Sequence, residues 1–374
     1  MSYNIIMKVK SLELNNFRNY DNLSISFEDG LNVVVGKNAQ GKTNMLESIF
    51  LCAIGKSPRT SKEKEMIKWE KNKAKVELLV ETKKGNKKIE FYIFDNTKKA
   101  IKINGFSLKK MGELMGELTC VYFSPDELKL VKDSPEERRK FMDISLSQFD
   151  KNYFYNLSKY NKVLMQRNKL LKDTKDKEVL LQTLPIWNEE LALTGAKIIF
   201  DRLKFIRTLS KFSKEIHKDI TSEKEDLSLS YLGISGDSEK EIKEKLLIEL
   251  EKNAERDIAL GFTSVGPHRD DIKIMSNFID VRTYGSQGQQ RTVALSLKLA
   301  ELEFFNFAFG EYPVLLLDDV LSELDLTRQE KLLKHVENIQ CIITGIAFPF
   351  SMQTNLLTCV SGEISKTNFG EKNE

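Results

Sequence analysis

The sequence predicts an α/β protein, in which a mixed sheet of the P-loop type carries an antiparallel β subdomain and a helical second lobe. A short apolar run, Leu31–Val35, leads into GKNAQGKT and then into a helical pattern, which is the strand–loop–helix order of a phosphate-binding loop. A second apolar run, Val314–Leu317, ends in two aspartates, as expected of a strand buried on both faces. A long central stretch of helical periodicity predicts the second lobe.

The composition of the 374-residue chain is that of an ordinary globular protein, with 41% hydrophobic and 30% charged residues. No apolar run approaches ~18 residues, so a transmembrane helix is not expected, and the N-terminus lacks the apolar region of a secretory signal. The four cysteines share no CxxC spacing, which argues against a disulfide framework or a zinc site. They are Cys52, Cys120, Cys341 and Cys359. We therefore expect a cytoplasmic protein without a membrane partner.

Charge is unevenly distributed, although the whole chain carries a net charge of only +3. The segment Lys56–Lys110 contains 17 Lys+Arg and 7 Asp+Glu, a net charge of +10, so the remaining residues carry −7. A basic lobe on a mildly acidic body is the pattern expected of a nucleic-acid contact. The alternative is that lysine-rich strands keep an exposed sheet edge soluble.

Two alternating segments, Met7–Leu14 and Leu23–Phe27, predict strands ahead of the buried strand Leu31–Val35. After the glycine loop, Asn44–Gly55 predicts a helix that ends at its glycine. The basic segment predicts a meander of antiparallel strands with turns at Gly85 and Asn104-Gly105. The strands of this meander are Ala74–Glu81, Lys88–Phe94 and Ala100–Ile103.

Helical periodicity begins at Ser134-Pro135-Glu136-Glu137, where a cap, an N1 proline and first-turn acids follow one another. Asn152–Lys172 and Ile186–His217 predict two helices that can pair as an antiparallel hairpin, and Asp237–Ala259 predicts a further charged helix. Strands are predicted near Phe262 and Ile272 and at Ile339–Thr344.

These elements divide the nucleotide-binding lobe between two parts of the chain, residues 1–135 and residues 260–374. A basic antiparallel insert covers about residues 56–110 of the first part. Residues 136–259 form the predicted helical lobe.

The segment GKNAQGKT matches the phosphate-binding pattern GxxxxGK[ST] between a strand and a helix. Its glycines let backbone N–H groups surround the phosphates of ATP, and the helix N-terminus adds a positive dipole. Lys42 is expected to reach the β- and γ-phosphates, and the Thr43 hydroxyl is expected to ligate Mg²⁺. The nucleotide-binding candidates are Gly36, Lys37, Asn38, Ala39, Gln40, Gly41, Lys42 and Thr43.

The two aspartates after the second apolar run have different expected roles. Asp318, at the carboxyl end of the strand, is expected to hold the Mg²⁺ shell directly or through water. Asp319 is placed to polarise the attacking water, which makes it, with Lys42, our candidate catalytic residue. The alternative for Asp319 is a helix or turn cap. An aspartate is one methylene shorter than the glutamate common in transport ATPases, which predicts slow hydrolysis.

A polar turn, Ser-Gln-Gly-Gln-Gln at residues 286–290, opens the helix that precedes the second strand. A plain N-cap accounts for Ser286 but not for the glycine and glutamines beside it. The turn can bind phosphate at a helix N-terminus by the same physics as the first loop. Because one nucleotide does not need two such loops from one subunit, we expect Ser286, Gly288 and Gln289 to serve the γ-phosphate held by a second copy.

Together these motifs resemble the RecF family of bacterial recombination-repair ATPases, which is related to the SMC proteins and to ABC-type ATPases. The resemblance runs nearly end to end. It is carried by LELNNFRNY at residues 12–20, GKTN at 41–44, SPDE at 124–127, PEERRKFMD at 135–143 and GPHRDD at 266–271. The most specific segment is LLDDVLSELDLTRQEKLL at residues 316–333.

The resemblance implies an ABC-type ATPase head. Two such heads are expected to close on two ATP molecules and to clamp gapped, single- or double-stranded DNA. Weak, DNA-dependent hydrolysis of ATP is expected to release the DNA. It also implies action with RecO and RecR at single-strand gaps, RecA loading and induction of the SOS response. Carried over to this chain, Ser322-Glu323-Leu324-Asp325 matches the loop that crosses the dimer interface. Arg18, with Asn16 and Phe17, lies where related heads contact the base or α-phosphate.

Two other classes stay open from the sequence: the ATP-driving subunit of a membrane transporter, and a nucleotide switch that does not hydrolyse ATP. The 282 residues between Gly36 and Asp318 argue against the first class, as does Thr344 at the place of the transporters' histidine sensor. Asp319 argues against the second class, because a switch does not need a base. His268 can approach the site or can serve as a structural hydrogen-bonding residue.

Overall fold

The computed structural model describes residues 7–96, 99–350, 352 and 354–366. Within these residues the strands are β1 Lys8–Phe17, β2 Tyr20–Ser26, β3 Leu31–Val35, β4 Lys73–Thr82, β5 Gly85–Phe94, β6 Lys99–Ile103, β7 Phe106–Ser107, β8 Cys120–Phe123, β9 Leu227–Leu232, β10 Asp271–Ser276, β11 Ile279–Asp280, β12 Val314–Asp318, β13 Cys341–Gly345, β14 Asn355–Val360 and β15 Glu363–Lys366. The helices are α1 Lys42–Ile54, α2 Lys129–Lys132, α3 Pro135–Phe149, α4 Lys151–Asp173, α5 Lys177–Thr221, α6 Glu239–Lys252, α7 Ala254–Leu260, α8 Val281–Tyr284, α9 Gln287–Phe309 and α10 Leu326–His335. None of these helices has the length and apolar character needed to cross a bilayer.

The chain forms two compact units. The first consists of Met1–Glu127 and Glu301–Glu374, and the second consists of Leu128–Ala300. The nucleotide-binding sequence motifs of the loop and the two aspartates fall in the first unit, and the polar turn at residues 286–290 falls in the second.

A six-stranded sheet at the centre of the first unit has the order β15-β14-β3-β13-β12-β8. Its strands run parallel except for β15, which is antiparallel to β14. The strands β8 and β12 are buried along their whole length, as expected of a parallel sheet covered on both faces. The predicted strands that became β3, β12 and β13 are confirmed, whereas β8, β14 and β15 were not predicted.

The helix α1 follows the glycine loop and anchors it in the core. Met45, Leu46 and Ile49 on this helix are fully buried. The helix begins at Lys42, two residues before the predicted start, and ends at Gly55, whose φ of 75° terminates it as predicted.

A second sheet in the first unit is antiparallel and has the order β2-β1-β4-β5-β6-β7. Along β4 the side chains alternate between buried and more exposed positions, because one face of the sheet packs on the core and the other meets solvent. The predicted basic meander is confirmed by β4, β5 and β6. Gly85, Asn104 and Gly105 all have positive φ, as tight hairpin turns require.

The predicted helical hairpin of the second unit is formed by α4 and α5. Tyr153 faces Arg202 at one end and Arg167 faces Asn188 at the other, with hydrogen bonds of 3.1 and 3.0 Å, so the two helices run antiparallel. The start predicted for the second helix, after Pro185, is wrong.

The helix α5 begins eight residues before this proline, at Lys177. Asp176 caps it by accepting from Glu178 N at 2.9 Å. Pro185 therefore lies inside the helix, where a proline removes one backbone hydrogen bond.

The second unit also contains an antiparallel sheet with the order β11-β10-β9. The strand β9 was not predicted, and the strand predicted near Phe262 is wrong, because Phe262 directly follows Gly261, which ends α7. The single helix predicted at Asp237–Ala259 is divided at Asn253. Residues 260–300, predicted to be part of the nucleotide-binding lobe, fall in the second unit. Within this segment β10 and β11 belong to the sheet that contains β9.

Candidate nucleotide-binding site

The phosphate loop lies between the end of β3 and the start of α1. Steric constraints explain both glycines of its motif. A Cβ on Gly36 would lie 2.3 Å from the Cys359 carbonyl oxygen. Gly41 has a φ of 113°, which side chains rarely adopt, and a Cβ there would lie 2.7 Å from Asn19 Nδ2. The loop can therefore take this shape only with glycine at these positions.

Three side chains hold the loop backbone from outside. The Tyr20 hydroxyl donates to Gly41 O at 3.0 Å, and Asn19 Nδ2 donates to Gln40 O at 3.2 Å. The Cys359 thiol donates to the same Gln40 oxygen at 3.4 Å. The turn after β1 and the strand β14 thus fix the loop together, although they lie near opposite ends of the chain.

Lys42 is 4% exposed and its ammonium lies over the loop. It donates to Gly36 O at 2.7 Å and to Lys37 O at 2.9 Å. An ammonium has three N–H donors, so one donor remains for an anionic oxygen after these two bonds. The loop therefore holds a positive charge where its backbone N–H groups would receive phosphate.

Asp318 connects the loop to the central sheet. Its Oδ1 accepts from Thr43 Oγ1 at 2.9 Å and from Thr344 Oγ1 at 2.8 Å. Its Oδ2 accepts from the Tyr122 hydroxyl at 2.9 Å. Because β12 lies between β13 and β8, the ends of three neighbouring strands place these groups together. The two metal ligands predicted from the sequence, Thr43 and Asp318, are in direct contact.

Sequence reasoning missed Tyr122, because the strand that carries it was not predicted. Burial, and secondarily the Asp318 charge, raise the pKa of Tyr122, so its phenol stays protonated and continues to donate. The sequence predicted no contact of Thr344 with the aspartates. Its hydroxyl donates to Asp318 and accepts from Asp319 N at 3.1 Å, so it contacts both aspartates.

One hydroxyl and one carboxylate do not make a complete protein shell for a metal. Mg²⁺ ordinarily takes one or two protein oxygens and completes its octahedron with water and substrate phosphates. Across the described residues, no three His, Cys, Asp or Glu side chains group closely enough to hold an ion by themselves. The donors Thr43 and Asp318 therefore fit Mg²⁺ that arrives with a nucleotide.

Asp319 has a φ of 53°, a left-handed conformation that is strained for a residue other than glycine. It occupies the N-cap position of the short 3-10 turn Val320–Glu323, but its side chain makes no capping hydrogen bond. Burial raises the pKa of Asp319, Lys42 opposes this rise and Asp318 adds to it. A carboxylate with a raised pKa is a stronger base, as a proton-accepting role requires.

Arg18 has an internal partner. Its guanidinium contacts the buried Glu47 of α1 through Nε at 2.9 Å and Nη2 at 2.6 Å, and Nη1 donates to Glu65 O at 2.6 Å. Arg59, which sequence reasoning missed, lies 3.3 Å from the same carboxylate and donates to Asn44 Oδ1 at 2.7 Å. A nucleotide contact by Arg18 stays a prediction.

Ser286, Gly288 and Gln289 lie together at the start of α9 in the second unit. Gln289 N donates to Ser286 Oγ at 3.2 Å and Ser286 N donates to Gln289 Oε1 at 3.0 Å, which is a reciprocal capping box. Capping therefore accounts for Gln289 as well as Ser286. Gly288 has no such reason, since a Cβ there would meet nothing closer than Ser286 Oγ at 4.0 Å. Glycine in a helix is less stable than alanine by about 1 kcal/mol. Gly288 therefore lowers the stability of α9, and no contact among the described residues of this chain requires it.

The side chain of Gln289 is hydrogen-bonded to Glu225. Its Nε2 donates to Glu225 Oε1 at 3.1 Å, and Glu225 Oε2 lies 3.3 Å from His217 Nε2. His217 Nδ1 in turn lies 2.9 Å from Ser296 Oγ, about two turns further along α9. This chain of contacts fixes the start of α9. Sequence reasoning missed Glu225 because its partners are distant in sequence.

His268 is a structural residue of the second unit. Its Nδ1 lies 2.7 Å from the Tyr160 hydroxyl and its Nε2 lies 3.0 Å from Thr263 O, so Nε2 carries the proton and Nδ1 accepts. Burial lowers the pKa of His268 to about 4, so the ring is neutral near pH 7. Both ring nitrogens are thus engaged within this unit.

Comparison with known proteins identifies relatives along nearly the whole chain. Residues 8–366 match the RecF/RecN/SMC N terminal domain family. A Clostridium perfringens protein named DNA replication and repair protein RecF is 48% identical over 338 residues, covering 90% of this chain and 92% of the relative. The protein of the same name from Clostridium novyi is 47% identical over 339 residues, covering 91% and 93%.

Solved structures agree with these relatives. The recombination mediator protein RecF-ATPrS in the RecFOR pathway superposes with a TM-score of 0.90 at 40% identity, covering 97% of this chain and 99% of that one. The corresponding RecF-ATP structure gives a TM-score of 0.89 at 40% identity, covering 97% and 100%. An SMC head bound to the C-terminal winged-helix domain of ScpA gives 0.57 at 15% identity, covering 97% and 98%. This last likeness shows a shared fold, which is the ABC-type ATPase head expected from the sequence.

Proposed function

Because this chain belongs to the RecF family of DNA replication and repair proteins, we propose that it is an ATP-dependent DNA-binding protein of recombinational repair. Two copies bind two ATP molecules between them, and the closed dimer clamps DNA at single-strand gaps. Slow, DNA-dependent hydrolysis opens the dimer and releases the DNA. The observation that carries the proposal is the direct contact of Thr43 with Asp318 beside the Lys42 loop, because a Mg²⁺–nucleoside triphosphate requires these groups together.

Within one copy, Lys42 and the loop N–H groups hold the β- and γ-phosphates, and Thr43 and Asp318 supply the protein oxygens for Mg²⁺. The metal, when bound, neutralises charge on the transferred phosphoryl group. Tyr122 and Thr344 keep the Asp318 carboxylate in one orientation through their hydrogen bonds. Asp319 accepts a proton from the attacking water, and its raised pKa supports this role.

The second copy contributes Ser286, Gly288 and Gln289 to the γ-phosphate, and its Ser322–Asp325 segment crosses the interface. The Ser286 hydroxyl accepts from Gln289 N, so its own proton stays available for an anionic oxygen. Gly288 leaves open space for the approach, and the N-terminus of α9 adds a positive dipole. Loss of the γ-phosphate on hydrolysis removes this interaction between copies.

Two solved relatives are described as a recombination mediator in the RecFOR pathway. On that basis we assign RecO and RecR as partners, with RecA loading and SOS induction as the outcome. The assignment implies a cytoplasmic location, where bacterial DNA lies. The net charge of +10 on Lys56–Lys110 supplies a surface that attracts DNA.

Sedimentation velocity with ATP, with ADP and without nucleotide tests the dimer. The wild-type chain is expected to dimerise only with ATP. Ser286→Arg is expected to bind ATP normally and to stay monomeric, because the larger side chain fills the space that the partner's phosphate needs. Ser158→Arg, which adds the same charge at an exposed position of α4, is the matched control and should dimerise. Normal ATP-dependent dimerisation of Ser286→Arg would contradict the shared site.

A further inference from the structure

Trp69 is a large apolar side chain that the nucleotide site does not use. It lies between α1 and β4 and is 91% exposed. Its neighbours in sequence are polar: Lys68–Lys75 contains four lysines and one glutamate. Within Lys68–Lys75, Trp69 is therefore the one exposed large apolar side chain, and it lies in a basic segment.

The backbone that displays Trp69 is held in place. Lys71 N donates to Lys68 O at 3.1 Å, which closes a four-residue turn, and Glu70 within this turn has a φ of 63°. Lys68 N donates to Asn16 O at 2.9 Å, so the turn is tied to β1. Because the backbone is already fixed, a partner that stacks on the ring has to order the side chain but not the turn.

The lysines of the turn differ in what they contact. Lys68 forms an ion pair with Asp21 at 2.5 Å. Lys71 and Lys73 are exposed, and no carboxylate of the described residues lies within ion-pairing distance of either ammonium. Both lysines follow Trp69 closely in sequence. Lys71 is near enough to Asp21 to lower the pKa of that carboxyl, but neither lysine is bound in an ion pair within the described part of the chain, so both charges are available to an anionic partner.

We propose that Trp69 stacks on an unpaired base of single-stranded DNA, while Lys71 and Lys73 hold the adjacent phosphates. A flat ring beside positive charges matches the base and phosphate of one nucleotide, and stacking on aromatic side chains is how single strands are bound without regard to sequence. A protein partner would need an apolar interface core larger than one ring. The inference rests on the proposed DNA-binding function and names the strand form that this surface recognises.

Asn19 connects the turn to the phosphate loop. Its backbone oxygen accepts from Lys68 Nζ at 3.3 Å, and its side chain contacts Gln40 O at 3.2 Å and Asn44 Nδ2 at 2.8 Å. The residue before Trp69 thus contacts a residue that holds the phosphate loop.

The test uses the full-length chain with ATP and a fluorescent gapped duplex, a fully paired duplex and a single-stranded oligonucleotide. Trp69→Ala is expected to weaken binding of the single strand and of the gap by about 10- to 100-fold, and to change duplex binding less than about twofold. Trp69→Phe should restore most of the affinity, because a ring remains. Phe278→Ala is the matched control, since Phe278 is a 94% exposed aromatic residue at a turn in the second unit.

A second measurement reports on the ring itself. The chain has two tryptophans, so Trp187→Phe leaves Trp69 as the single emitter, and stacking should quench its emission on addition of oligonucleotide. The double variant Lys71→Ala/Lys73→Ala should reduce the slope of log affinity against log salt by about 1.4, which corresponds to two phosphate contacts.

Equal single-strand binding by Trp69→Ala and the wild type would overturn the inference, as would a Trp69 emission that responds to vesicles of anionic phospholipid but not to oligonucleotide. ATP-dependent dimerisation and DNA binding, measured on the wild type and on Trp69→Ala, show whether the stacking site alone fails or the proposed function fails too. If Trp69→Ala dimerises and binds every DNA like the wild type, only the stacking site fails. If the wild type binds no DNA with ATP, the proposed function fails as well.

Discussion

Asp318 and Asp319 are adjacent in sequence but have different surroundings. Asp318 is 5% exposed, and both of its oxygens accept hydrogen bonds from hydroxyl groups on neighbouring elements. Asp319 lies on a strained backbone, and its side chain makes no capping bond. One carboxylate is therefore fixed in orientation, as a metal ligand must be, and the other is available to accept a proton.

We expect Asp319→Asn to preserve ATP binding and to lower ATP turnover by about 10²- to 10⁴-fold, because the amide cannot act as a base. The ATP-bound dimer should then persist in sedimentation experiments. Asp95→Asn, an exposed substitution in the same unit, is the control and should hydrolyse ATP normally. Unchanged turnover in Asp319→Asn would remove Asp319 from the mechanism.

The same residue gives a pH dependence for the wild type. Burial raises the pKa of Asp319 above its ordinary value of 3.8, and only the ionised form can accept a proton. As the pH falls, turnover should therefore decline at a higher pH than an ordinary aspartate would give. The residual turnover of Asp319→Asn should lack this acid limb.

At the scale of elements, the start of α9 depends on contacts with another part of the second unit. The capping box orders the Ser286 and Gln289 side chains, and Glu225 fixes the Gln289 amide through its Nε2. The carboxylate of Glu225 is fixed by His217 of α5. The position of the polar turn is thus set by α5 as well as by its own sequence.

We expect Glu225→Ala to weaken ATP-dependent dimerisation by about tenfold, because the Gln289 amide loses its partner, while ATP binding to the monomer stays unchanged. Glu225→Gln keeps an acceptor oxygen and should restore much of the dimer. Glu223→Ala, at an exposed position two residues away, is the control. Sedimentation equilibrium with ATP measures the dimer affinity, and thermal unfolding of the monomer is measured beside it. If Glu225→Ala also unfolds at a clearly lower temperature than the wild type, the role of Glu225 is purely structural.

The elements that were predicted correctly are those whose chemistry is local. A phosphate loop needs glycines at fixed spacing, and a strand buried on both faces needs an uninterrupted apolar run. The strand Cys120–Phe123 is too short for its apolar pattern to be told from a helix, so Tyr122 could not be connected with Asp318. A proline normally ends a helix, so the position of Pro185 inside α5 could not be predicted from the local sequence. The place of residues 260–300 depends on β9, a strand that the sequence did not reveal.

At the scale of the whole molecule, the loop and both aspartates belong to the first unit. A ligand present at about 100 times its Kd stabilises the state that binds it by about 2.7 kcal/mol. We therefore expect ATP with Mg²⁺ to slow hydrogen exchange in β3, α1 and β12, at protein concentrations below dimerisation. The α4–α5 hairpin should exchange at an unchanged rate.

Lys42→Ala should abolish this protection, because the loop loses its ammonium, and Lys62→Ala, an exposed lysine of the same unit, should retain it. Exchange measured by mass spectrometry with and without ATP distinguishes the two variants. Equal protection in Lys42→Ala and the wild type would show that the nucleotide binds elsewhere.

The arrangement of the central sheet also sets an order of events during synthesis. The strand β3, which leads into the phosphate loop, pairs with β13 on one side and β14 on the other, and about 320 residues separate the end of β3 from the start of β14. At a translation rate of roughly 5–20 residues per second, β3 waits on the order of 15–65 s for its second neighbour. The second unit is contiguous in the chain and is fully synthesised within that interval. The unit that holds the nucleotide is thus completed only after the second unit, and a nascent chain halted before β13 lacks both strands that pair with β3.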